Sequence, residues 1–170
     1  HRGIDKSRYV EERLSDSRRI IEKEVPFTIR DFRITAFEVP HDSTDNVGYC
    51  IEYGDHTFTI ATDVGHITDT VGKYVTRANH LVLEANYDEE MLKYGSYPPF
   101  LKERVGGPTG HLSNKEAAEF LATHYDPKLR NIWLCHLSRD NNHPELALKT
   151  VDIRLFQEGI RVGKDVFVTP

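Results

Sequence analysis

The sequence is poor in the residues that mark disulfide-rich or membrane-spanning proteins. Its 170 residues include two cysteines, one methionine and one tryptophan, so a dense disulfide framework is excluded. No apolar run approaches the ~18 residues of a membrane-spanning helix, and no signal-peptide pattern is present. Basic residues are not in excess either, because 22 lysines and arginines face 27 acidic residues for a net charge of −5. This balance argues against a strongly basic, non-specific nucleic-acid binder but allows a local basic patch.

Both cysteines lie inside apolar runs, GYCIEY around Cys50 and IWLCHL around Cys135. Such thiols are typically buried and reduced, which predicts a cytoplasmic protein. A disulfide or a metal-bound thiolate is the alternative. Cys135 directly precedes His136, and consecutive strand residues point to opposite faces, so only one of the two can face a given site.

Hydrophobic residues form 38% of the chain and recur in short blocks along it. Residues 1–24 are rich in charge and predict a solvated helix, or a helix followed by a loop, with a narrow apolar stripe. Strand patterns then occur at 27–30, 33–39, 47–53, 56–62, 80–85, 131–137 and 162–170. Helical patterns occur at 67–78, 87–95, 99–105, after Ser113 and at 144–159. Antiparallel strands followed by alternating helix and strand predict an α/β or α+β layer structure, a mixed sheet covered by helices.

Three residues with metal-binding side chains follow the ends of strand patterns. His41 ends RITAFEVPH, Asp63 ends HTFTIATD and His136 ends NIWLCH. Strand ends at one edge of a sheet converge, and ligand sites form there. Two imidazoles and a carboxylate suit Zn²⁺, Mn²⁺ or Fe, so the three are candidate metal ligands. Taken singly, each is also compatible with a hydrogen-bonded surface histidine or a turn aspartate.

His111 lies just before a predicted helix start, where Ser113 and Glu116 form a capping box. The positive end of a helix binds anions such as phosphate and disfavours the imidazolium. This position predicts a proton donor or a phosphate contact, and packing against the helix start is the alternative. Three basic residues flank the loop: Lys102, Arg104 and Lys115. They either contact a phosphodiester or are ordinary surface charges.

Two further features carry weaker predictions. Asn141 and Asn142 follow the strand that ends at His136, and they either cap the next helix or line the site. His66 is close to Asp63 in sequence, which alone does not make it a ligand.

Five segments carry motifs in a recognisable order: VPHDSTDNVGY (39–49), TIATDVGHI (59–67), LVLEANYDEEMLKYGSYPPFLKERV (81–105), GHLSNKEAAEFL (110–121) and LCHLSRDNNHPELA (134–147). Through them the chain resembles the metallo-β-lactamase-fold hydrolases, most closely the YycJ/WalJ-like branch, over roughly residues 27–158. The resemblance implies an α/β fold: the carboxyl-terminal portion of an αβ/βα sandwich, a mixed sheet with helices packed on it.

The resemblance also implies roles for the candidate residues. His41 matches a metal ligand of the third motif, Asp63 the carboxylate that bridges two metal ions, and His136 the final metal ligand. His111 takes the place of the histidine that protonates the leaving oxygen in related phosphodiesterases. Two divalent ions are therefore expected as cofactors, either Zn²⁺ or Mn²⁺, with Fe as a third candidate. Two such ions can activate water and stabilise a pentavalent phosphorus.

The sequence departs from the family pattern in two places. Tyr87 stands in Glu84-Ala85-Asn86-Tyr87 where many relatives have a histidine. The superfamily motif His-x-His-x-Asp-His does not occur in the sequence. We therefore expect residues 1–170 to be one truncated domain that lacks its amino-terminal part, inactive alone, with partial or no metal occupancy.

For the full-length protein the resemblance implies a metal-dependent phosphodiester hydrolase, a DNA exonuclease with nucleic acid as its partner. A metal hydrolase of a small ester, thioester or lactam is a second class, because this fold hosts many chemistries. A non-catalytic interaction fragment is a third, favoured only by the missing motif. A sheet edge or apolar face left uncovered predicts a homodimer of the truncated form.

Overall fold

The structure, a computed structural model, describes residues 19–170. Most of the helix predicted over residues 1–24 lies outside this range, and residues 19–22 have no regular structure. Seven strands occur in chain order: β1 Phe27–Ile29, β2 Phe32–Glu38, β3 Val47–Tyr53, β4 His56–Ala61, β5 His80–Glu84, β6 Asn131–Cys135 and β7 Phe167–Thr169. Five helices alternate with the later strands: α1 Asp69–Val75, α2 Glu89–Tyr94, α3 Pro99–Val105, α4 Asn114–Thr123 and α5 Pro144–Gln157.

All seven strands belong to one mixed sheet whose spatial order equals the chain order. β1 to β4 pair antiparallel, and β4 to β7 pair parallel. The predicted hairpin between β3 and β4 is present, and Gly54 at its turn has a φ of 54°, which costs glycine little. The α/β prediction of a mixed sheet with helices is confirmed.

The helices begin where the sequence patterns indicate. Ser113 and Glu116 form the predicted capping box of α4, with each side chain bonded to the other residue's backbone N–H. Helix α5 begins at Pro144 as predicted, but the capping alternative for Asn141 and Asn142 is wrong, because the side chain of His143 accepts from the helical N–H.

The core lies between the helices and one face of the sheet. Alternate strand residues point into it, among them Phe37, Leu81, Leu83, Ile132 and Leu134. Helices α1, α4 and α5 contribute Val71, Leu121 and Val151. The opposite sheet face carries partly exposed apolar side chains, including Ile51, Phe58, Val82 and Trp133. No helix within residues 19–170 combines the length and the apolar character needed to cross a bilayer.

The topology brings four strand ends to one edge of the sheet. β2 runs in the same direction as β4, because both are antiparallel to β3, and β5 and β6 run parallel to β4. The carboxyl ends of β2, β4, β5 and β6 therefore share one edge. β6 ends at Cys135, two residues earlier than predicted, so that His136 begins the loop beyond the sheet.

Candidate metal centre

The three predicted metal ligands meet at this edge. Asp63 lies between two histidines, with its Oδ1 3.7 Å from Nε2 of His41 and 3.6 Å from Nδ1 of His136. One carboxylate oxygen thus faces both imidazoles, across gaps too long for a direct hydrogen bond. The three predicted ligands therefore converge at one point of the sheet edge.

Glu84, the last residue of β5, is the functional residue that sequence reasoning missed. Its side chain is fully buried. Oε1 accepts from Nδ1 of His111 at 2.8 Å and from Nδ1 of His136 at 2.6 Å, while Oε2 accepts from the N–H of Val64 at 2.5 Å. A signal was present, since a carboxylate that closes the apolar run HLVLE must find partners if it is buried.

These contacts shift the pKa values of the carboxyl and of one imidazole. Burial alone would raise the pKa of Glu84, but the hydrogen bonds from His111, His136 and Val64 outweigh it and lower this pKa. The hydrogen bond to Glu84 and its negative charge, with a further contribution from Asp63, raise the pKa of His136 despite partial burial.

Hydrogen bonds to acceptor-only groups also fix which nitrogen of each imidazole is free. The carbonyl oxygen of Gly110 can only accept, so Nδ1 of His41 donates to it at 2.9 Å. The ionised carboxylate of Glu84 likewise only accepts from His111 and His136. All three rings therefore spend Nδ1 on the protein and keep Nε2 for a ligand or a proton, as metal-bound histidines commonly do.

Two overlapping donor sets result. His41, Asp63 and His111 offer ligand atoms within 4.8 Å of one another, and so do Glu84, His111 and His136. Nitrogen and carboxylate oxygen donors at this spacing suit Zn²⁺ or Mn²⁺. The residues present therefore fit a divalent-metal centre, while the role of each residue stays a prediction.

Cys135 belongs to neither set. Burial, with the nearby carboxylates of Glu84 and Asp63, raises its pKa to about 12, so that it stays a protonated thiol. Cys50 and Cys135 are both free, in agreement with the prediction of reduced thiols.

Backbone strain marks two of the candidate ligands. Asp63 and His136 both have a φ of 55°, in the left-handed region that residues other than glycine rarely occupy. Asn46 Nδ2 donates to the carbonyl oxygen of Asp63 at 3.0 Å, and Asn86 Nδ2 donates to that of His136 at 2.7 Å. Each strained residue is thus held by an asparagine from another part of the chain, as expected where the surroundings impose the conformation.

Two loops reach the site because glycine lets their backbones touch. A side chain at Gly110 would collide with the carbonyl oxygens of Arg104 and Val105, and one at Gly65 would collide with that of Pro108. The contact at Gly65 sets the loop that carries His111 against the loop that follows Asp63, and the contact at Gly110 sets it against the end of α3. Glycine is needed at both positions for close approach.

A cavity of about 390 Å³ opens above the histidines. Its lining includes the three histidines His41, His111 and His136, the carboxylates Asp42 and Asp140, and the side chains of Tyr97, Leu101, Arg104 and Arg139. Arg104 donates to both carboxylate oxygens of Asp42, at 2.5 and 3.2 Å, and these hydrogen bonds lower the pKa of Asp42. Arginine, carboxylate and imidazole side chains thus share one open cavity.

Other residues singled out in the sequence lie elsewhere. Tyr87 is buried, which raises its pKa to about 12, and it does not line the cavity. Asn142 is also buried and exchanges side-chain hydrogen bonds with Asn114 at 2.8 and 2.9 Å. Lys102 donates to the carbonyl oxygen of Lys93 at 2.8 Å. Lys115 pairs with Glu89 at 3.7 Å, away from the cavity.

The fold and this cluster define a class: a mixed-sheet protein with a candidate metal centre at the carboxyl ends of its strands. Comparison with known proteins agrees. The family model described as the beta-lactamase superfamily domain matches residues 2–136. The chain is 34% identical over 163 residues to exodeoxyribonuclease WalJ of Streptococcus pneumoniae (strain D39), covering 96% of the chain and 61% of WalJ. It is 34% identical over 137 residues to exodeoxyribonuclease YycJ of Bacillus anthracis, covering 81% of the chain and 52% of YycJ.

Among solved structures, Zn²⁺-bound PqqB from Methylobacterium extorquens superposes with a TM-score of 0.63 at 18% identity, over 99% of this chain and 56% of PqqB. The chain belongs to the metallo-β-lactamase superfamily, which confirms the family inferred from its motifs. It spans 61% of the length of WalJ and 52% of that of YycJ.

Proposed function

We propose that the protein is a metal-dependent phosphodiester hydrolase and that its substrate is DNA, cleaved as by an exonuclease. The observation that carries the proposal is the shared carboxylate of Glu84, which orients His111 and His136 beside His41 and Asp63. The open cavity offers Arg139 as a contact for an anionic substrate, while Arg104 is paired with Asp42, and Asp140 also lines the cavity. The names of the two relatives supply the class of substrate.

In this proposal His41, Asp63 and His136 are the residues that would hold the divalent ions. Zn²⁺ or Mn²⁺ bound there would act as a Lewis acid on the phosphoryl oxygens and lower the pKa of bound water. The side chains contribute orientation, because Gly110 and Glu84 turn Nε2 of their histidines toward the cavity. Asn46 and Asn86 hold the backbones of Asp63 and His136.

His111 is the proposed proton donor. Glu84 accepts from Nδ1, which leaves Nε2 as the atom that carries a proton toward the leaving oxygen. The hydrogen bond to Glu84 fixes the tautomer and the orientation of the ring, as a carboxylate does behind a catalytic histidine. General acid catalysis of this kind contributes about 10²–10⁴-fold to rate.

The 170-residue chain is proposed to be inactive alone. It contains no His-x-His-x-Asp-His motif, and the proposed metal ligands are only three residues, His41, Asp63 and His136. Two fully liganded ions need more donors than these three residues provide. The two free thiols suit a reducing compartment such as the cytoplasm.

The test compares the chain with the product of the complete gene, each with Mn²⁺ or Zn²⁺, on a nitrophenyl phosphodiester and on a DNA oligonucleotide. We expect hydrolysis of both substrates by the complete product and none by the chain. Robust activity of the chain would contradict its proposed inactivity. Hydrolysis of a lactam or thioester, with no phosphodiester hydrolysis, would favour the alternative substrate class.

The metal site has its own test. Asp63→Ala in the complete gene product is expected to lower the metal content per protein, measured by elemental analysis, because Asp63 faces both His41 and His136. Asp69→Ala, at the first turn of α1, serves as the control. Unchanged metal content in Asp63→Ala would remove this residue from the site.

A further inference from the structure

A glycine-rich loop of residues 106–110 connects α3 to His111, the proposed proton donor. The carbonyl oxygens of its last three residues each accept a hydrogen bond from another loop: Pro108, Thr109 and Gly110. The donors lie far away in the chain, 42 positions for the first of these bonds and 69 for the last. Because glycine leaves the backbone wide conformational freedom, tertiary contacts of this kind are needed to hold His111 in one place.

The three donors come from the loops that carry the candidate metal ligands. Nδ1 of His41 and the N–H of its neighbour Asp42 bond two of the three carbonyl oxygens, each at 2.9 Å. His66 follows Asp63 in the same loop, and its Nδ1 lies 2.7 Å from the carbonyl oxygen of Pro108. A carbonyl oxygen only accepts, so Nδ1 of His66 is the donor. The glycine-rich loop is therefore tied to both ligand loops.

His66 differs from the other two donors because its side chain has no other assigned role. His41 is a candidate ligand, and the bond from Asp42 uses the backbone. The ring of His66 is exposed and lies outside the cavity lining. Its neighbour Gly65 packs so closely on the carbonyl oxygen of Pro108 that a side chain at this position would collide with it. His66 therefore bonds the glycine-rich loop at the point where the two backbones already touch.

We propose that His66 is a positioning residue for the proton donor, because its bond to Pro108 holds the backbone from which His111 reaches the leaving oxygen. Glu84 orients the ring of His111, whereas His66 places the loop that carries it. This inference rests on the proposed phosphodiester hydrolase function and adds a residue that touches neither substrate nor metal. Its loss should therefore impair proton donation and leave substrate binding almost unchanged.

The test compares His66→Ala with the wild type, both as products of the complete gene, on two substrates that differ in their leaving group. A DNA strand departs through a deoxyribose oxygen, which needs a proton to leave, whereas nitrophenolate leaves without one. We expect kcat on a DNA oligonucleotide to fall by about 10- to 100-fold, the range for a displaced catalytic group or a lost indirect support, with KM nearly unchanged. Hydrolysis of a nitrophenyl phosphodiester should fall much less.

Two further variants separate positioning from a general loss of structure. His66→Asn keeps an N–H donor at the place of Nδ1 and should restore most of kcat on DNA. His124→Ala removes a comparable bond, from Nδ1 of an exposed histidine at the end of α4 to the carbonyl oxygen of Phe120 at 3.2 Å. This control should match the wild type on both substrates. Thermal melting confirms that every variant is folded.

Hydrogen exchange supplies a measurement that does not depend on activity. The N–H of Gly110 donates to Gly107 at 2.8 Å, and that of His111 donates to Val105 at 2.9 Å. Loss of the bond from His66 should loosen the glycine-rich loop and speed exchange at both N–H groups, because exchange reports local opening. Exchange within α4 should stay at the wild-type rate.

The outcomes distinguish this inference from the proposed function. Wild-type exchange at Gly110 and His111 in His66→Ala would overturn the positioning role even if phosphodiesters are hydrolysed. Equal losses of kcat on the two substrates would overturn the link to proton donation. Lower metal content in His66→Ala, by elemental analysis, would also overturn it, because the effect would then act through Asp63. Faster exchange in a protein that cleaves no phosphodiester would keep the contact with the loop but contradict the proposed function, and with it the role in proton donation.

Discussion

Histidines gather at both ends of the same parallel strands, and the two clusters behave differently. At the carboxyl ends, His111 and His136 share the carboxylate of Glu84. At the amino ends, His56 begins β4 and His80 begins β5, with Nδ1 of His56 3.2 Å from Nε2 of His80. The partner of His80 at this end is an amide, Asn131, whose side chain lies 2.9 Å from Nδ1.

The difference between the clusters is the buried carboxylate. Glu84 raises the pKa of His136, whereas burial, followed by the charges of His56 and Arg130, lowers the pKa of His80. Within residues 19–170, groups of potential metal ligands occur at the carboxyl end only. Two neighbouring imidazoles alone do not make a metal site. A nearby carboxylate is needed, because its negative charge stabilises a bound cation or a proton on the ring.

Removal of the Glu84 carboxylate is expected to have the largest effect on stability and activity. Glu84→Ala leaves the Nδ1–H groups of His111 and His136 and the N–H of Val64 without an acceptor. The free energy of unfolding is expected to fall by about 3–5 kcal/mol, measured by chemical denaturation, and phosphodiester hydrolysis should be lost. Asn131→Ala, the matched change at the other cluster, should cost only about 1 kcal/mol.

Glu84→Gln is a milder substitution than Glu84→Ala. It keeps the volume of the side chain but offers a single acceptor oxygen, so it should fold while activity stays low. Equal unfolding free energies for Glu84→Ala and Asn131→Ala would show that the carboxylate is not what sets the clusters apart.

Loss of one imidazole from each cluster comes next. His111→Ala is expected to lower turnover on the phosphodiester by about 10²–10⁴-fold, the range for a lost general acid, with metal content retained. His56→Ala should leave turnover at the wild-type level. Loss of metal in His111→Ala would make this residue a ligand instead of a proton donor.

A smaller effect, on metal affinity, is expected when an asparagine that bonds the strained backbone of a candidate ligand is replaced. Asn86→Ala removes the hydrogen bond to the carbonyl oxygen of His136 and should weaken metal binding by about 10- to 100-fold, as for other indirect supports of a ligand. Competition with a chelating dye measures this affinity. Asn79→Ala, which removes an asparagine from the opposite end of β5, is the control, and equal metal affinity in the two variants would contradict the role of Asn86.

The smallest effect concerns the pH dependence of stability. The pKa of His80 is lower in the folded state than in the unfolded chain, so the unfolded chain takes up the proton first as pH falls below about 6.5. Protonation therefore destabilises the fold on the acidic side. His80→Gln should show a shallower fall of Tm between about pH 7 and pH 5, and a slope equal to that of the wild type would exclude His80 as a cause.

Local sequence patterns predicted much of the fold. The glycine turn between β3 and β4, the capping box of α4 and the alternation of buried residues depend on neighbours in the chain, so their physics can be read from short segments. The predictions at element ends were less accurate. The strand pattern 131–137 continues through His136, but tertiary contacts from Asn86 and Glu84 hold this residue outside β6.

The sequence by itself determined the order of elements, the family, and the placement of His41, Asp63 and His136 after strand ends, because each depends on local pattern or on motifs. Only the tertiary structure decided that Glu84 joins His111 to His136. These residues are 27 and 52 positions from Glu84, and parallel pairing of β5 and β6 brings the strand ends together. A buried charge is stable only where its partners converge, and that convergence is a property of the packed sheet and its loops.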